Sequence, residues 1–157
     1  MKKLMNGAQM KMIDTYSIQE VGIPSLVLME RAALCVTEAV LEKIKKTDKV
    51  LCVCGSGNNG ADGMAVARQL TERGISAEVY TTAEEGKGTE ELNRQRAILQ
   101  KLGIVFVNDI PAGEYNCIID AVFGIGLSRT ITGRYEQIIE KINAAKDTGS
   151  LIVAVDT

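Results

Sequence analysis

The chain has 157 residues, 46% of them hydrophobic, and a formal net charge of −2. This length predicts one domain with a core large enough to need no disulfide or metal to hold it together. The charge balance argues against a nucleic-acid partner, and no segment approaches the roughly 20 apolar residues of a membrane span.

Two helical segments are predicted before residue 48. The first, "NGAQMKMIDTYSIQE", carries Met10, Ile13 and either Tyr16 or Ile18 at helical spacing. The second, "IPSLVLMERAALCVTEAVLEKIKK", opens with Pro24, which suits the first turn of a helix. Four of its residues can share one helix face: Leu28, Ala32, Cys35 and Ala39.

Strand and helix patterns alternate from residue 49 onward. Five short runs rich in branched apolar residues are typical of buried parallel strands: 49–54, 76–81, 104–107, 116–122 and 151–155. Helical patterns lie between them: 61–73, 88–102 and 133–146. Gly74 and Gly103 stand where two of these helices should end. The pattern predicts a three-layer, Rossmann-like α/β domain, a parallel sheet with helices on both faces preceded by two N-terminal helices.

Three polar segments follow predicted strands: "GSGNNGADG", "DAVFGIGLSRT" and "VDT". With the common strand order 3-2-1-4-5, the carboxyl ends of the first, fourth and fifth strands meet in one crevice, where open α/β sheets bind ligands. The crevice should bring together five polar residues: Asn58, Asn59, Asp62, Asp120 and Asp156.

The first polar segment contains the spacing G-x-G-x-x-G from Gly55 to Gly60. Such glycines let the backbone approach a ligand, and the N–H groups of the next helix can bind an anion. The spacing alone is a weak signal. Structural reasons would also explain the polar residues, because asparagine tolerates left-handed turns at Asn58 and Asn59 and Asp62 can cap a helix.

Asp120 lies in line with a buried strand, where a charge is costly unless it is paired or bound to a cation. It can instead cap a turn. The amide oxygen of Asn59 and the carboxylate of Asp120 would together suit a hard cation and not zinc. Gly124 and Gly126 leave backbone groups open for a ligand, and Arg129 either meets a phosphate or stays on the surface.

The sequence has four cysteines and no histidine. Cys52 and Cys54 alternate on one strand face and lack the spacing of zinc or redox sites. Together with Cys35 and Cys117 they are interpreted as buried free thiols, which fits a cytoplasmic location. Without histidine, carboxylates become the natural acid–base groups.

Four separated blocks carry a family resemblance: "MKMIDTYSIQEVGIPSLVLMERAA", "GSGNNGADG", "DAVFGIGLSR" and "VAVD". Their order and spacing resemble those of the NAD(P)H-hydrate epimerases, the YjeF N-terminal domain family. The resemblance implies a Rossmann-like enzyme that interconverts the R and S epimers of NADHX and NADPHX, the hydrated forms of damaged nicotinamide cofactors. It also implies a potassium ion as cofactor.

The resemblance also assigns residues by position. Asn59 and Asp120 would bind potassium. Asp156 would contact the substrate, and it is the preferred proton-transferring residue because Asp120 is better used on the cation. The other substrate contacts would come from two loops: Asn58, Asn59, Gly60, Ala61, Asp62, Gly124, Ile125, Gly126, Leu127, Ser128, Arg129 and Thr130.

This sequence departs from the family pattern in several places. Ala61 replaces a glycine, Ile125 replaces a small polar residue, and Arg31 and Ala33 change the second block. The family also continues past the last aspartate into a proline–serine–glycine stretch with another potassium contact. Residues 1–157 are therefore expected to be one domain that lacks its C-terminal part.

The family resemblance suggests a homodimer and an ADP- or ATP-dependent dehydratase, fused or separate, as partners. Two other functions stay open at this stage. One is a non-catalytic binding or scaffold module with the same fold. The other is an NAD-dependent oxidoreductase, which would need an acidic residue closing the second strand, where "VYTTAEE" places threonines first and Glu84 later.

Overall fold

The computed structural model describes residues 6–125, 127 and 130–155. They form a five-stranded parallel sheet in the order β3-β2-β1-β4-β5. The strands are β1 (Lys49–Cys54), β2 (Ser76–Thr81), β3 (Phe106–Val107), β4 (Cys117–Ala121) and β5 (Leu151–Ala154). The helices are α1 (Gly7–Gln19), α2 (Ser25–Leu41), α3 (Asn58–Glu72), α4 (Glu90–Lys101) and α5 (Arg134–Asp147).

The sheet separates two apolar layers, as the predicted three-layer α/β fold requires. One face packs against α2, α3 and α4 through residues such as Met29, Met64 and Leu92. The other packs against α5 through Ile138 and Ile142. The predicted fold class and strand order are confirmed, and β1 lies at the centre of the sheet.

Two helix features differ from the sequence predictions. Helix α3 begins at Asn58 and not at 61, with Gly57 as its N-cap. Helix α2 begins after Pro24, which is the N-cap residue and not part of the first turn. Its buried residues are not the four predicted to share a face; each lies one or two positions further along: Met29, Ala33, Thr37 and Val40.

The cysteine prediction is correct at three of four positions. Cys52, Cys54 and Cys117 are buried free thiols, and burial raises the pKa of all three; that of Cys117 rises to about 12. Cys35 is also a free thiol but is exposed, because the face of α2 that carries it points away from the core.

Glycines allow α3 to pack closely on the ends of β1 and β4. A Cβ on Gly55 would lie 2.0 Å from the carbonyl oxygen of Val122, and a Cβ on Gly60 would lie 2.0 Å from that of Gly55. One on Gly63 would lie 2.5 Å from the Cβ of Ala121. These three glycines are therefore needed to bring the backbones together, whatever ligand the loop binds.

A polar cluster around Glu30 joins α2, α3 and α4. The carboxylate accepts hydrogen bonds from Arg68, from Gln69 at 3.0 Å and from Gln95 at 3.2 Å. Burial alone would raise the pKa of Glu30, but Arg68 and the two amides outweigh burial and lower it. The cluster fixes the position of α2 against the helix that begins at Asn58.

Helix α1 lies on the surface. Asn6 and Gln9 form a capping box at its start, yet none of its residues is buried. Met12 and Tyr16 are 71% and 62% exposed. Within the described part of the chain, no helix is both long and apolar enough to cross a membrane.

Candidate active site

Backbone hydrogen bonds tie the carboxyl ends of four strands together. Thr82 N donates to Cys54 O at 2.9 Å, and Gly55 N donates to Ala121 O at 2.9 Å. Val155 N donates to Asp120 O at 2.8 Å. The segments that follow β2, β1, β4 and β5 therefore start side by side, at the edge where such sheets bind ligands.

A cleft of about 470 Å³ opens at this edge, between α1, α2 and the start of α3. Its lining includes Asn58 and Asp62 from α3, Leu28 and Ala32 from α2, and Val155 after β5. This volume is within the usual range for small-molecule sites. The face of α2 that carries Leu28 and Ala32 thus lines the cleft and not the core.

Asn59 has a buried side chain with one satisfied end. Its Nδ2 donates to the carbonyl oxygen of Phe123 at 2.7 Å. Because a carbonyl only accepts, this bond fixes the orientation of the amide. The other end, Oδ1, is buried and has no hydrogen-bond partner among the described residues, which is unusual for a buried polar atom.

Asp120 is the penultimate residue of β4 and lies three positions before Phe123, whose carbonyl oxygen accepts from Asn59. Its Oδ1 accepts from Val122 N at 3.1 Å, so the turn-capping interpretation is correct for one oxygen. Burial raises the pKa of Asp120, and the bond from Val122 only partly opposes this rise. In the described ranges, no lysine or arginine lies within 4.0 Å of the carboxylate.

These two side chains fit a hard cation. Counting only the described residues, the buried amide oxygen has no hydrogen-bond partner and the desolvated carboxylate has no basic neighbour within 4.0 Å. Both are oxygen donors of the kind that a potassium ion would satisfy. Among the described residues, no group of three His, Cys, Asp or Glu side chains could hold a metal ion. A cation here would therefore rely on the amide, one carboxylate and backbone carbonyls.

The other residues predicted for the first loop divide into two groups. Asn58 and Asp62 line the cleft, while Gly60 and Ala61 are buried. The N–H of Ala61 already donates to Gly57 O at 3.2 Å. Asp62 lies beyond the first turn of α3, so it is not the N-cap.

The second predicted loop is only partly described. Gly124 is half-buried, and Ile125 is exposed but lies close to Gly7 at the start of α1. Leu127 and Thr130 line a separate cavity beside α5. Four predicted site residues lie outside the described residues: Gly126, Ser128, Arg129 and Asp156.

Sequence reasoning missed the contribution of α1 and α4 to the cleft. Lys11, Asp14 and Thr15 line it from α1, and Glu91 lines it from α4. The Oγ of Ser25 donates to Glu91 at 2.9 Å, which joins two walls of the cleft. No local pattern marks these residues, because only the packing of separate helices brings them to the site.

Fold and cleft together define a Rossmann-like α/β protein with a small-molecule site at the carboxyl edge of its sheet. Residues 25–157 match the family described as YjeF-related protein N-terminus. The chain is 39% identical over 157 residues to an NAD(P)H-hydrate epimerase of Limosilactobacillus fermentum, covering 99% of this chain and 74% of that protein. It is 41% identical over 145 residues to one of Oenococcus oeni, covering 91% and 68%.

A crystal structure of the yeast protein ynu0 has the same fold. Its TM-score to this chain is 0.86 at 23% identity, and the match covers 99% of this chain and 70% of the yeast chain. The protein belongs to the YjeF N-terminal family, and its curated relatives within that family are NAD(P)H-hydrate epimerases.

Proposed function

We propose that this protein interconverts the R and S epimers of hydrated NADH and NADPH, NADHX and NADPHX. The observation that carries the proposal is the match along nearly the whole chain to relatives with that activity. The protein is accordingly an isomerase of nicotinamide cofactor repair. A scaffold function has no support in the described site, which retains the asparagine–aspartate pair of Asn59 and Asp120.

The reaction inverts a carbon that carries a hydroxyl group and lies next to the ring nitrogen. We propose that a carboxylic acid gives its proton to the hydroxyl, which leaves as water, while the nitrogen lone pair forms an iminium. Water then adds to the opposite face and returns a proton to the carboxylate. The reaction needs no oxidant or reductant.

Asp156 is the residue proposed to move the proton. It directly follows Val155, which lines the cleft, and Asp120 is better used on a cation. Asn58 and Asp62 would contact the hydrated cofactor from the start of α3, and the Gly124–Thr130 loop would contact it from β4. Asn59 and Asp120 would hold potassium, which would offset carboxylate charge and fix the two loops relative to each other.

The test follows pure R epimer by chiral chromatography, with and without the protein, in potassium and in potassium-free buffer. We expect the enzyme to produce the S epimer and Asp156→Asn to abolish that production while the folded state persists. If the protein produces no S epimer from the R epimer of either NADHX or NADPHX in potassium buffer, the proposed function is wrong.

A second copy of the chain is the proposed partner on α1. The exposed apolar residues there include Met12, Tyr16 and nearby Val21, and clustered exposed apolar side chains are typical of an interface. We expect a dimer by light scattering, and a monomer after Tyr16→Glu combined with Met12→Lys. Leu102→Lys, at an exposed apolar residue after α4, should remain dimeric. A wild-type monomer at all concentrations would exclude this interface.

Two further proposals concern the cellular setting. A dehydratase that consumes the S epimer, fused or separate, would complete the repair. A cytoplasmic location is supported by the four free thiols.

A further inference from the structure

Arg134 reaches from the start of α5 to the carboxyl end of β2. Its Nη1 lies 3.4 Å from the carbonyl oxygen of Thr82, and its Nη2 lies 3.5 Å from the hydroxyl of Tyr80. Both distances are at the long limit of a hydrogen bond. Within the described chain, no carboxylate lies within 4.0 Å of this exposed guanidinium.

The backbone beneath Arg134 is held in place by other contacts. Arg96 is buried and donates to Ala83 O at 2.7 Å. Thr82 is only 8% exposed, and in the part of the chain that the structure describes its hydroxyl oxygen has no hydrogen-bond partner. A cationic side chain with weak contacts therefore stands over a fixed strand end that carries an unsatisfied polar atom.

The position of this strand end relative to the cleft suggests a ligand. Thr82 N is bonded to Cys54 O, so β2 ends directly beside the Gly55–Gly57 turn. In dinucleotide-binding folds, the end of the second strand contacts the adenosine ribose, and an arginine there accommodates a 2′-phosphate. Guanidinium groups bind phosphates with two parallel hydrogen bonds.

An aromatic cavity lies at the start of α5, where Tyr135, the residue after Arg134, lines it. It has a volume of about 260 Å³ and is lined in part by Phe123, Ile131 and Tyr135. The rings of Phe123 and Tyr135 are 5.1 Å apart between centroids. A flat purine can pack against such walls.

We propose that Arg134 binds the ribose phosphate that distinguishes NADPHX from NADHX, so that the protein prefers NADPHX. This inference rests on the proposed epimerase function, because the two substrates differ only in that phosphate. Glu84, exposed on the same loop after β2, is the residue that would favour an unphosphorylated ribose instead.

The experiment compares kcat/KM for the two substrates in wild type, Arg134→Ala and Lys141→Ala. We expect Arg134→Ala to lower the value for NADPHX by about tenfold to a hundredfold, as for the loss of a charged hydrogen bond, and the value for NADHX by less than about threefold. Lys141→Ala removes a positive charge from the same helix, where it pairs with Asp109, and should change both substrates equally and little.

A binding measurement separates this inference from the proposed function. ADP-ribose and its 2′-phosphorylated form are titrated by calorimetry into the same three proteins. If Arg134→Ala weakens binding of the 2′-phosphorylated probe but not of ADP-ribose, the phosphate site is supported even if no epimerisation is seen. Equal losses for both probes in Arg134→Ala, or no loss at all, would overturn the inference.

Discussion

At the scale of single residues, Asn59 and Asp120 are polar side chains for which burial is costly. The amide oxygen of Asn59 is buried without a partner, and the pKa of Asp120 is raised by burial. A raised carboxyl pKa means that the folded state binds the proton more tightly than the unfolded state. Asp120 therefore adds stability below its unfolded pKa, and this contribution is lost as the pH rises through its folded pKa.

Bound potassium should restore stability at pH values where Asp120 is ionised. We expect potassium chloride to raise the free energy of unfolding near neutral pH by about 1–3 kcal/mol when the ion is at roughly ten to a hundred times its Kd. The gain should shrink as the pH falls through the folded pKa of Asp120. Denaturation in potassium chloride and in tetramethylammonium chloride at equal ionic strength measures the difference.

The matched variants are Asp120→Asn and Asp109→Asn. Asp120→Asn should lose most of the potassium gain, whereas Asp109→Asn, at an exposed carboxylate paired with Lys141, should retain it. An undiminished gain in Asp120→Asn would show that potassium acts elsewhere.

At the scale of secondary structure, the glycines at the start of α3 differ in the space beside them. Some are needed for close packing, and one leaves space for a ligand. Gly60 packs directly against Gly55, whereas an added Cβ on Gly57 would meet no atom of the described residues within 4 Å. The φ of Gly57 is −102°, which any residue can adopt. The two glycines therefore have different roles within one motif.

Alanine substitutions should separate these roles. We expect Gly60→Ala to lower the free energy of unfolding by at least about 1–3 kcal/mol, because its methyl group overlaps backbone. Gly57→Ala should cost less than about 1 kcal/mol as a change of N-cap residue, yet weaken binding of ADP-ribose. Urea denaturation and calorimetry test both effects, and equal stability of the two variants would contradict this assignment.

At the scale of the whole molecule, the sequence predicted the sheet better than the helix surfaces. β1 and β2 were predicted with their correct bounds because apolar runs between polar or glycine residues define a strand locally. The start of α3 was missed because "NNG" is typical of a turn. Close packing of Gly60 and Gly63 against the sheet offsets the intrinsic cost of glycine in a helix.

Parts of the site depend on contacts that no short segment contains. The cleft lining from Lys11 and Glu91, and the cluster around Glu30, join helices far apart in sequence. The asparagine–aspartate pair was predictable because strand order alone brings Asn59 and Asp120 to one edge. The roles assigned to them and to Asp156 stay predictions.

The central place of β1 also has a consequence for folding. β1 pairs with β2 after one short crossover. Its contact with the segment that leads into β4 spans a longer stretch of chain, because the hydrogen bond from Lys49 N to Asn116 Oδ1 joins residues 67 apart in sequence. Loop closure of that span delays the second pairing. The contact between Asn59 and Phe123 can form only after β4 docks, so a partly folded chain holding β1, α3 and β2 would lack the cation site. An ion bound there would therefore stabilise the completely folded domain and would not stabilise a partly folded chain.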